Sequence, residues 1–141
     1  MSEAGEFIDA TLHAYGSSVG AIRAAIKDAS RKFRGMTHDE ITALASELWS
    51  VPAVERRLAA IVLLQSNIEL LIVSDLTRIE GFVRTAAGDE LLDPLIDLVV
   101  RPLASRLGGT RADTVFERWA SESHDGLQRA GSAAAPSRRS R

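Results

Sequence analysis

The chain has 141 residues and a formal net charge of −2, and its length fits one domain with a core of its own. It contains no cysteine, which excludes disulfides, thiolate metal sites and cysteine nucleophiles. The first residues, MSEAGEFIDA, lack the basic and apolar regions of a signal peptide, and no apolar run approaches the roughly 18 residues of a membrane span. We therefore expect a cytoplasmic protein without membrane contact.

Apolar residues recur at helical spacing in the first third of the chain. Phe7 and Leu12 belong to a first predicted helix, which ends at the small-residue turn GSSVG. A second helix is predicted over residues 21–33, and its outer face carries basic residues at intervals of four. These are Arg23, Lys27 and Arg31. Such a stripe could bind phosphates, or it could be an ordinary solvated face.

Capping signals mark the next two helices. Thr37 and Glu40 follow the T-x-x-E pattern of a capping box, which predicts the start of a third helix. The fourth helix is predicted to begin at Ser50. Pro52 then falls in its first turn, where a missing N–H has no intrahelical partner to lose.

Two arginines near the start of the fourth helix need a separate explanation, because cations are unfavourable at the positive end of a helix dipole. Arg56 and Arg57 lie close in sequence to Trp49. An arginine beside a tryptophan can stack on the ring or contact a phosphate. The sequence leaves a packing role and a phosphate-binding role open.

The second half of the chain also has helical spacing. A fifth helix is predicted over residues 68–85. In the stretch LLDPLIDLVVRPL, Asp93 is predicted to cap a helix that Pro94 opens, and Pro102 to kink or end it. Thr110 begins a further capping pattern, TRAD.

The composition changes near the end of the chain. Residues 131–141, GSAAAPSRRSR, predict a disordered basic tail. Residues 1–130 are predicted to form one helical-repeat domain, since helices pair at intervals of about 35–40 residues. A compact helical bundle is the alternative. The predicted core positions are Trp49, Leu58, Ile61, Ile72, Leu76 and Phe116.

Asp93 and Asp97 are four residues apart and share one face of a predicted helix. They could act as a pair in acid–base or cation-stabilising chemistry, or serve as a cap and a dipole partner. The adjacent residues of Ser123-His124-Asp125 cannot converge as a hydrolase triad. The three histidines lack metal-ligand spacing, and we expect no metal and no cofactor.

Four stretches occur in an order that suggests a family: YGSSVGAIRAAIKDASRKFRG, ELWSVPAVERRLAAIVLL, LLDPLIDLVVRPL and WASESHDGLQRAG. Together they resemble the DNA alkylation repair family, the helical-repeat alkylpurine DNA glycosylases. The resemblance covers residues 15–130. Its most specific part is Leu48-Trp49 followed by Glu55-Arg56.

The resemblance implies an all-α fold, a curved α-solenoid of antiparallel helix pairs like those of HEAT and armadillo proteins. It also implies a basic concave face that binds duplex DNA, and excision of cationic N3- or N7-alkylated purines. Asp97 matches the family's catalytic aspartate, which stabilises positive charge developing on the deoxyribose. The candidate DNA-binding residues are Arg23, Lys27, Arg56, Arg57, Arg84 and Arg129, and the candidate aromatic residues are Trp49 and Trp119.

Three positions depart from the family pattern. Asp93 and Gly126 stand where the family has tryptophans, and Gln128 replaces the first residue of a late arginine pair. The chain also ends where family members usually continue into further repeats, so the implied solenoid is truncated. These departures predict weak binding of duplex DNA and weak excision, or none. A non-catalytic module that binds a protein partner is the alternative.

Overall fold

The computed structural model describes residues 1–16 and 18–139, with side chains up to residue 134. All regular structure within these residues is helical, which confirms the all-α prediction. The helices are α1 (Glu3–Tyr15), α2 (Val19–Lys32), α3 (His38–Trp49), α4 (Val54–Ser66), α5 (Leu76–Thr85), α6 (Asp89–Leu95), α7 (Arg101–Arg106), α8 (Thr110–Ala120) and α9 (Asp125–Arg139). Over the same residues, no helix is long and apolar enough to cross a bilayer.

The chain divides into two compact units, here called unit 1 (Met1–Asn67) and unit 2 (Ile68–Arg141). In unit 1, α1 packs on α2 and α3 packs on α4, and the two pairs also contact each other. In unit 2, α9 packs on α5, α7 and α8. The single helical-repeat domain over residues 1–130 stays a prediction.

The start of α3 confirms the predicted capping box: Thr37 Oγ1 accepts the Glu40 N–H at 3.2 Å, and Glu40 Oε1 accepts the Thr37 N–H at 2.9 Å. The prediction that α4 begins at Ser50 is wrong. The Ser50 N–H still donates to the Ser46 carbonyl at 3.0 Å and closes the last turn of α3, while α4 begins at Val54.

Two further local predictions fail in unit 2. Asp93 lies inside α6, because the Leu92 N–H already bonds the carbonyl of Gly88 at 3.1 Å and starts the helix earlier. The TRAD pattern predicts Thr110 as a cap, but Gly109 takes that position at a φ of 117°. Of the two alternatives predicted for Pro102, an end of the helix is excluded, because the helix continues through α7, while a kink stays a prediction.

The helix predicted over residues 68–85 is α-helical only from Leu76. Asp75 Oδ2 accepts the Ile72 N–H at 2.8 Å and holds the preceding residues in short 3₁₀ turns. Ile72 is therefore 51% exposed, and its placement in the core is wrong. Leu58 is half-buried. The other predicted core residues are buried: Trp49, Ile61, Leu76 and Phe116.

The boundary predicted at residue 130 falls inside α9, because small residues there pack closely on α8. A Cβ at Gly131 would lie 2.7 Å from the carbonyl oxygen of Phe116, so only glycine permits this approach. Ala133 and Ala134 are buried as well. Residues 140–141 of the predicted tail, like Ser17 in the GSSVG turn, lie outside the described residues.

Candidate functional site

Asp97 lies in a widened turn of its helix. A π-helical segment, Ile96–Val100, joins α6 to α7, and the Arg101 N–H donates to the Ile96 carbonyl five residues earlier. In a regular α-helix the ring of Pro102 would clash with a carbonyl one turn before it. The wider turn accommodates the proline and keeps the helix continuous. Short π segments of this kind are frequent at functional sites.

Two carboxylates and two arginines line one cleft in unit 2, of about 380 Å³. The side chain of Asp97 is 64% exposed, and its Oδ1 accepts a hydrogen bond from Arg101 Nε at 3.2 Å. Asp93 accepts a hydrogen bond from Arg129 of α9, which also reaches Asp89 at 2.8 Å. The other lining residues are Ile96, Ser132 and Ala133. We call this the Asp97 cleft.

Each carboxylate in the Asp97 cleft has a guanidinium partner. The hydrogen bonds to Asp93 and then to Asp89 raise the pKa of Arg129. The structure therefore brings together three residues that the sequence singles out, Asp93, Asp97 and Arg129, and adds Arg101. Such a cleft can present a carboxylate to a cation and guanidinium groups to phosphates.

Arg56 lies inside unit 1. Its residue is 7% exposed, and its guanidinium group forms an ion pair with Asp9 of α1. It also contacts the sulfur of Met1 at 3.6 Å. These contacts hold the guanidinium group of Arg56 against α1 and give it a packing role in unit 1.

Arg57 serves the same unit in another way. Its guanidinium carbon lies 4.9 Å from the centre of the Trp49 ring, and its Nε donates to the Trp49 carbonyl at 2.9 Å. Trp49 itself is 5% exposed. The structure thus realises the stacking that the sequence allows, and uses it to cover a core indole.

The basic stripe of α2 is exposed in unit 1. Arg23 extends along the surface and donates to Gln65 Oε1 at 3.1 Å. Lys27 follows one turn later and is exposed. Arg31 lies 3.8 Å from Asp28. These three residues keep their charged ends at the surface, where a phosphate could reach them.

Arg84 and Trp119 belong to a network in unit 2 that the sequence does not predict. Its centre is Glu80, whose side chain is 15% exposed and which accepts from Trp119 Nε1 at 3.0 Å and from Arg84 Nη2 at 3.0 Å. Arg118 Nη2 donates to the same carboxylate at 2.7 Å. The hydrogen bond from Arg118, aided by those from Arg84 and Trp119, outweighs the effect of burial and lowers the pKa of Glu80 to about 2.

The Glu80 network has one visible sequence signal, the four-residue spacing of Glu80 and Arg84, which favours a pair on one helix face. Trp119 is fully buried, so its ring packs in the core of unit 2. In the described part of the chain, no group of three or more His, Asp or Glu side chains could hold a metal ion.

The fold and the Asp97 cleft define an all-α protein with an exposed carboxylate set among arginines. The profile of the family described as DNA alkylation repair enzyme matches residues 2–135. The chain therefore belongs to the DNA alkylation repair enzyme family, and this membership supports a role related to DNA repair. No curated protein and no solved structure matches it significantly.

Proposed function

We propose that this protein binds duplex DNA weakly and excises cationic N3- or N7-alkylated purines slowly, with Asp97 as the catalytic carboxylate. One observation carries the proposal: in a chain of this family, the Asp97 carboxylate lies exposed in a cleft that also holds Arg101 and Arg129. The HEAT-like stacking of helix pairs and the concave DNA-binding face implied by the family resemblance belong to the same proposal.

A cationic alkylated base is a good leaving group, so the protein needs only to stabilise the positive charge that develops on the sugar. The glycosidic bond breaks as the cationic base leaves with the bonding electron pair, and the deoxyribose becomes oxocarbenium-like. A fixed carboxylate stabilises that positive charge. Water then adds to the sugar carbon and loses a proton, which leaves an abasic site and a neutral alkylated base. Asp97 is the group that we assign to the charge stabilisation.

Slow excision follows from the surroundings of Asp97. Its side chain is 64% exposed, so water screens the carboxylate and weakens its interaction with a developing cation. Asp93 stands one turn away and adds a second polar, hydrated group. No aromatic side chain is among the described residues that line the Asp97 cleft, and Trp49 and Trp119 are both buried.

For DNA contact we propose the stripe of α2. Replacing Arg23 and Lys27 by Gln should reduce the log–log salt slope of binding by about 0.9 for each phosphate that the variant no longer binds. Arg111→Gln, a change at an exposed cation on α8, is the matched control. We expect Arg56→Ala, by comparison, to lower stability and leave the slope unchanged, because Asp9 already holds that guanidinium group.

Excision is tested by release of 7-methylguanine from a methylated duplex. Wild type should release the base slowly but above the rate without protein, and Asp97→Asn should abolish most of that release. The matched control is Asp39→Asn in unit 1, whose side chain is 96% exposed, and it should retain the wild-type rate. An equal decrease in both variants would contradict the assignment of Asp97.

A second candidate function is a non-catalytic module that binds a protein partner. It is favoured by a groove of about 440 Å³ in unit 1 with Phe33, Met36 and Leu44 among its apolar lining. Its acidic lining residues are Glu3, Glu40 and Glu47. If wild type fails to bind duplex DNA even at low salt, this second function becomes the better explanation.

A further inference from the structure

We propose that Arg101 is a phosphate ligand in the Asp97 cleft. In the free protein Asp97 binds the guanidinium group of Arg101, and a DNA phosphate replaces Asp97 as its partner on binding. This inference rests on the proposed DNA binding and adds a residue and a form of regulation to it. The juxtaposition that carries it is an exposed Asp97–Arg101 ion pair in a π-helical turn, on a cleft that also contains Arg129.

The bond that holds Arg101 is a weak one. Nε donates to Asp97 at 3.2 Å, and both side chains are more than half exposed, at 51% and 64%. Exposed pairs four residues apart on a helix contribute little stability, because water competes for both partners. The terminal nitrogens of Arg101 have no protein partner among residues 1–16 and 18–134.

A phosphate is a better partner for this guanidinium group than the present carboxylate. Two parallel N–H groups can bind two phosphate oxygens at once, whereas Asp97 receives a single bond from Nε. Arg129 is less available, because it binds Asp89 and Asp93 together. Arg101 is therefore the arginine of the cleft that can exchange its partner most readily.

The exchange would have two consequences at one position. When Arg101 binds a phosphate, the protein gains an interaction with DNA beside the cleft. The carboxylate of Asp97 is released from its neutralising partner at the same moment, so its negative charge becomes fully available to a cationic sugar. DNA binding would thereby uncover the group that acts on the lesion.

A double-mutant cycle of Asp97 and Arg101, measured on DNA affinity, tests the proposed exchange of partners without requiring excision. The probe is a short, fluorescein-labelled, undamaged duplex, and the readout is fluorescence anisotropy over a salt series. Arg101→Gln should weaken binding by about three- to tenfold and reduce the salt slope by about 0.9, as expected when one phosphate is no longer bound. Asp97→Asn should strengthen binding by about two- to fivefold, because it releases Arg101.

The decisive comparison is the double variant. Without Arg101, Asp97→Asn should improve affinity no more than the charge control Asp39→Asn does. An equal gain from Asp97→Asn with and without Arg101 would overturn the inference, and so would an unchanged affinity in Arg101→Gln. Circular dichroism of each variant checks that helicity is retained.

These outcomes separate the inference from the function on which it rests. If wild type binds the duplex and the cycle shows no coupling, only the role of Arg101 is refuted. If neither wild type nor Asp97→Asn binds the duplex at low salt, the proposed function fails and Arg101 fails with it.

Discussion

Each unit contains an arginine that faces an aspartate, and the two pairs differ in burial. In unit 1 the side chain of Arg56 is 9% exposed beside Asp9. In unit 2 the side chain of Arg101 is 51% exposed beside Asp97. A buried guanidinium group cannot regain water when its partner is removed, whereas an exposed one exchanges partners at little cost. The same residue types therefore serve packing in one unit and remain accessible to a ligand in the other.

The side chains of the Glu80 network are intermediate in exposure between these two pairs. Glu80 is 15% exposed, while Arg118, which binds it, is 50% exposed. Arg84 is similarly exposed but also bonds Glu80 and Glu122. The exposure of an arginine alone thus does not identify a DNA-binding residue, since the burial of its partner decides how firmly it is held.

Removal of Asp9 should have the largest effect on stability. Asp9→Ala leaves the charge of Arg56 buried without its carboxylate, and we expect the free energy of unfolding in urea to fall by about 2–4 kcal/mol. A second change, Arg56→Met, should restore much of this stability because no charge is then buried. A fully stable Asp9→Ala variant would mean that burial does not distinguish the two pairs.

Glu80 should give a large, pH-dependent effect. Its pKa is lowered from 4.5 to about 2, so its contribution to stability is complete above about pH 4.5 and is lost as the pH falls towards 2. At neutral pH, Glu80→Gln should lower the free energy of unfolding by about 2–3 kcal/mol. Urea titrations of both proteins should show this difference shrinking as the pH falls. If the difference in unfolding free energy stayed the same at every pH, the lowered pKa of Glu80 could not be its cause.

Asp93→Trp should change the excision rate, and this effect should be smaller than the two effects on stability. The change removes a second carboxylate from the cleft, frees Arg129 from one of its two partners, and adds an apolar ring that excludes water. We expect release of 7-methylguanine to stay equal to wild type or to rise by up to about threefold. Asp89→Asn, which removes the other partner of Arg129 and adds no ring, is the matched control. A strong decrease in Asp93→Trp alone would show that Asp93 assists the reaction.

Asp97→Asn should have the smallest effect on stability. Its ion pair with Arg101 is exposed, so the free energy of unfolding should change by no more than about 0.5 kcal/mol in a urea titration. The small change contrasts with the large one expected for Asp9→Ala, at the pair of Asp9 and the buried Arg56. A decrease as large as that of Asp9→Ala would place Asp97 among the structural residues.

Local spacing predicted the helices well and their irregularities poorly. The capping box at Thr37 could be recognised because both partners are three residues apart. The exposure of Ile72 could not, since a side-chain bond from Asp75 overrides the apolar period there. Residues 131–134 have the composition of a flexible tail, yet Gly131 allows close packing against a helix that composition alone does not reveal.

In the candidate site, too, the sequence predicts contacts between near neighbours and misses those between distant residues. The four-residue spacing of Asp93 and Asp97 predicts their shared face, and the family resemblance points to Arg129. The partners of Arg56 and Arg118 were beyond prediction, because they lie far away in sequence and only the folded units bring them together. Sequence therefore indicated which arginines to consider, and burial shows which of them are already occupied.

The catalytic role of Asp97 is tested most directly by comparing wild type with Asp97→Asn. The measurement is the single-turnover rate of 7-methylguanine release, with protein in excess over methylated duplex. We predict a slow wild-type rate that falls about 10- to 100-fold in Asp97→Asn, with little change in unfolding free energy. Release by wild type that persists undiminished in Asp97→Asn would contradict the assignment of the chemistry to this exposed carboxylate.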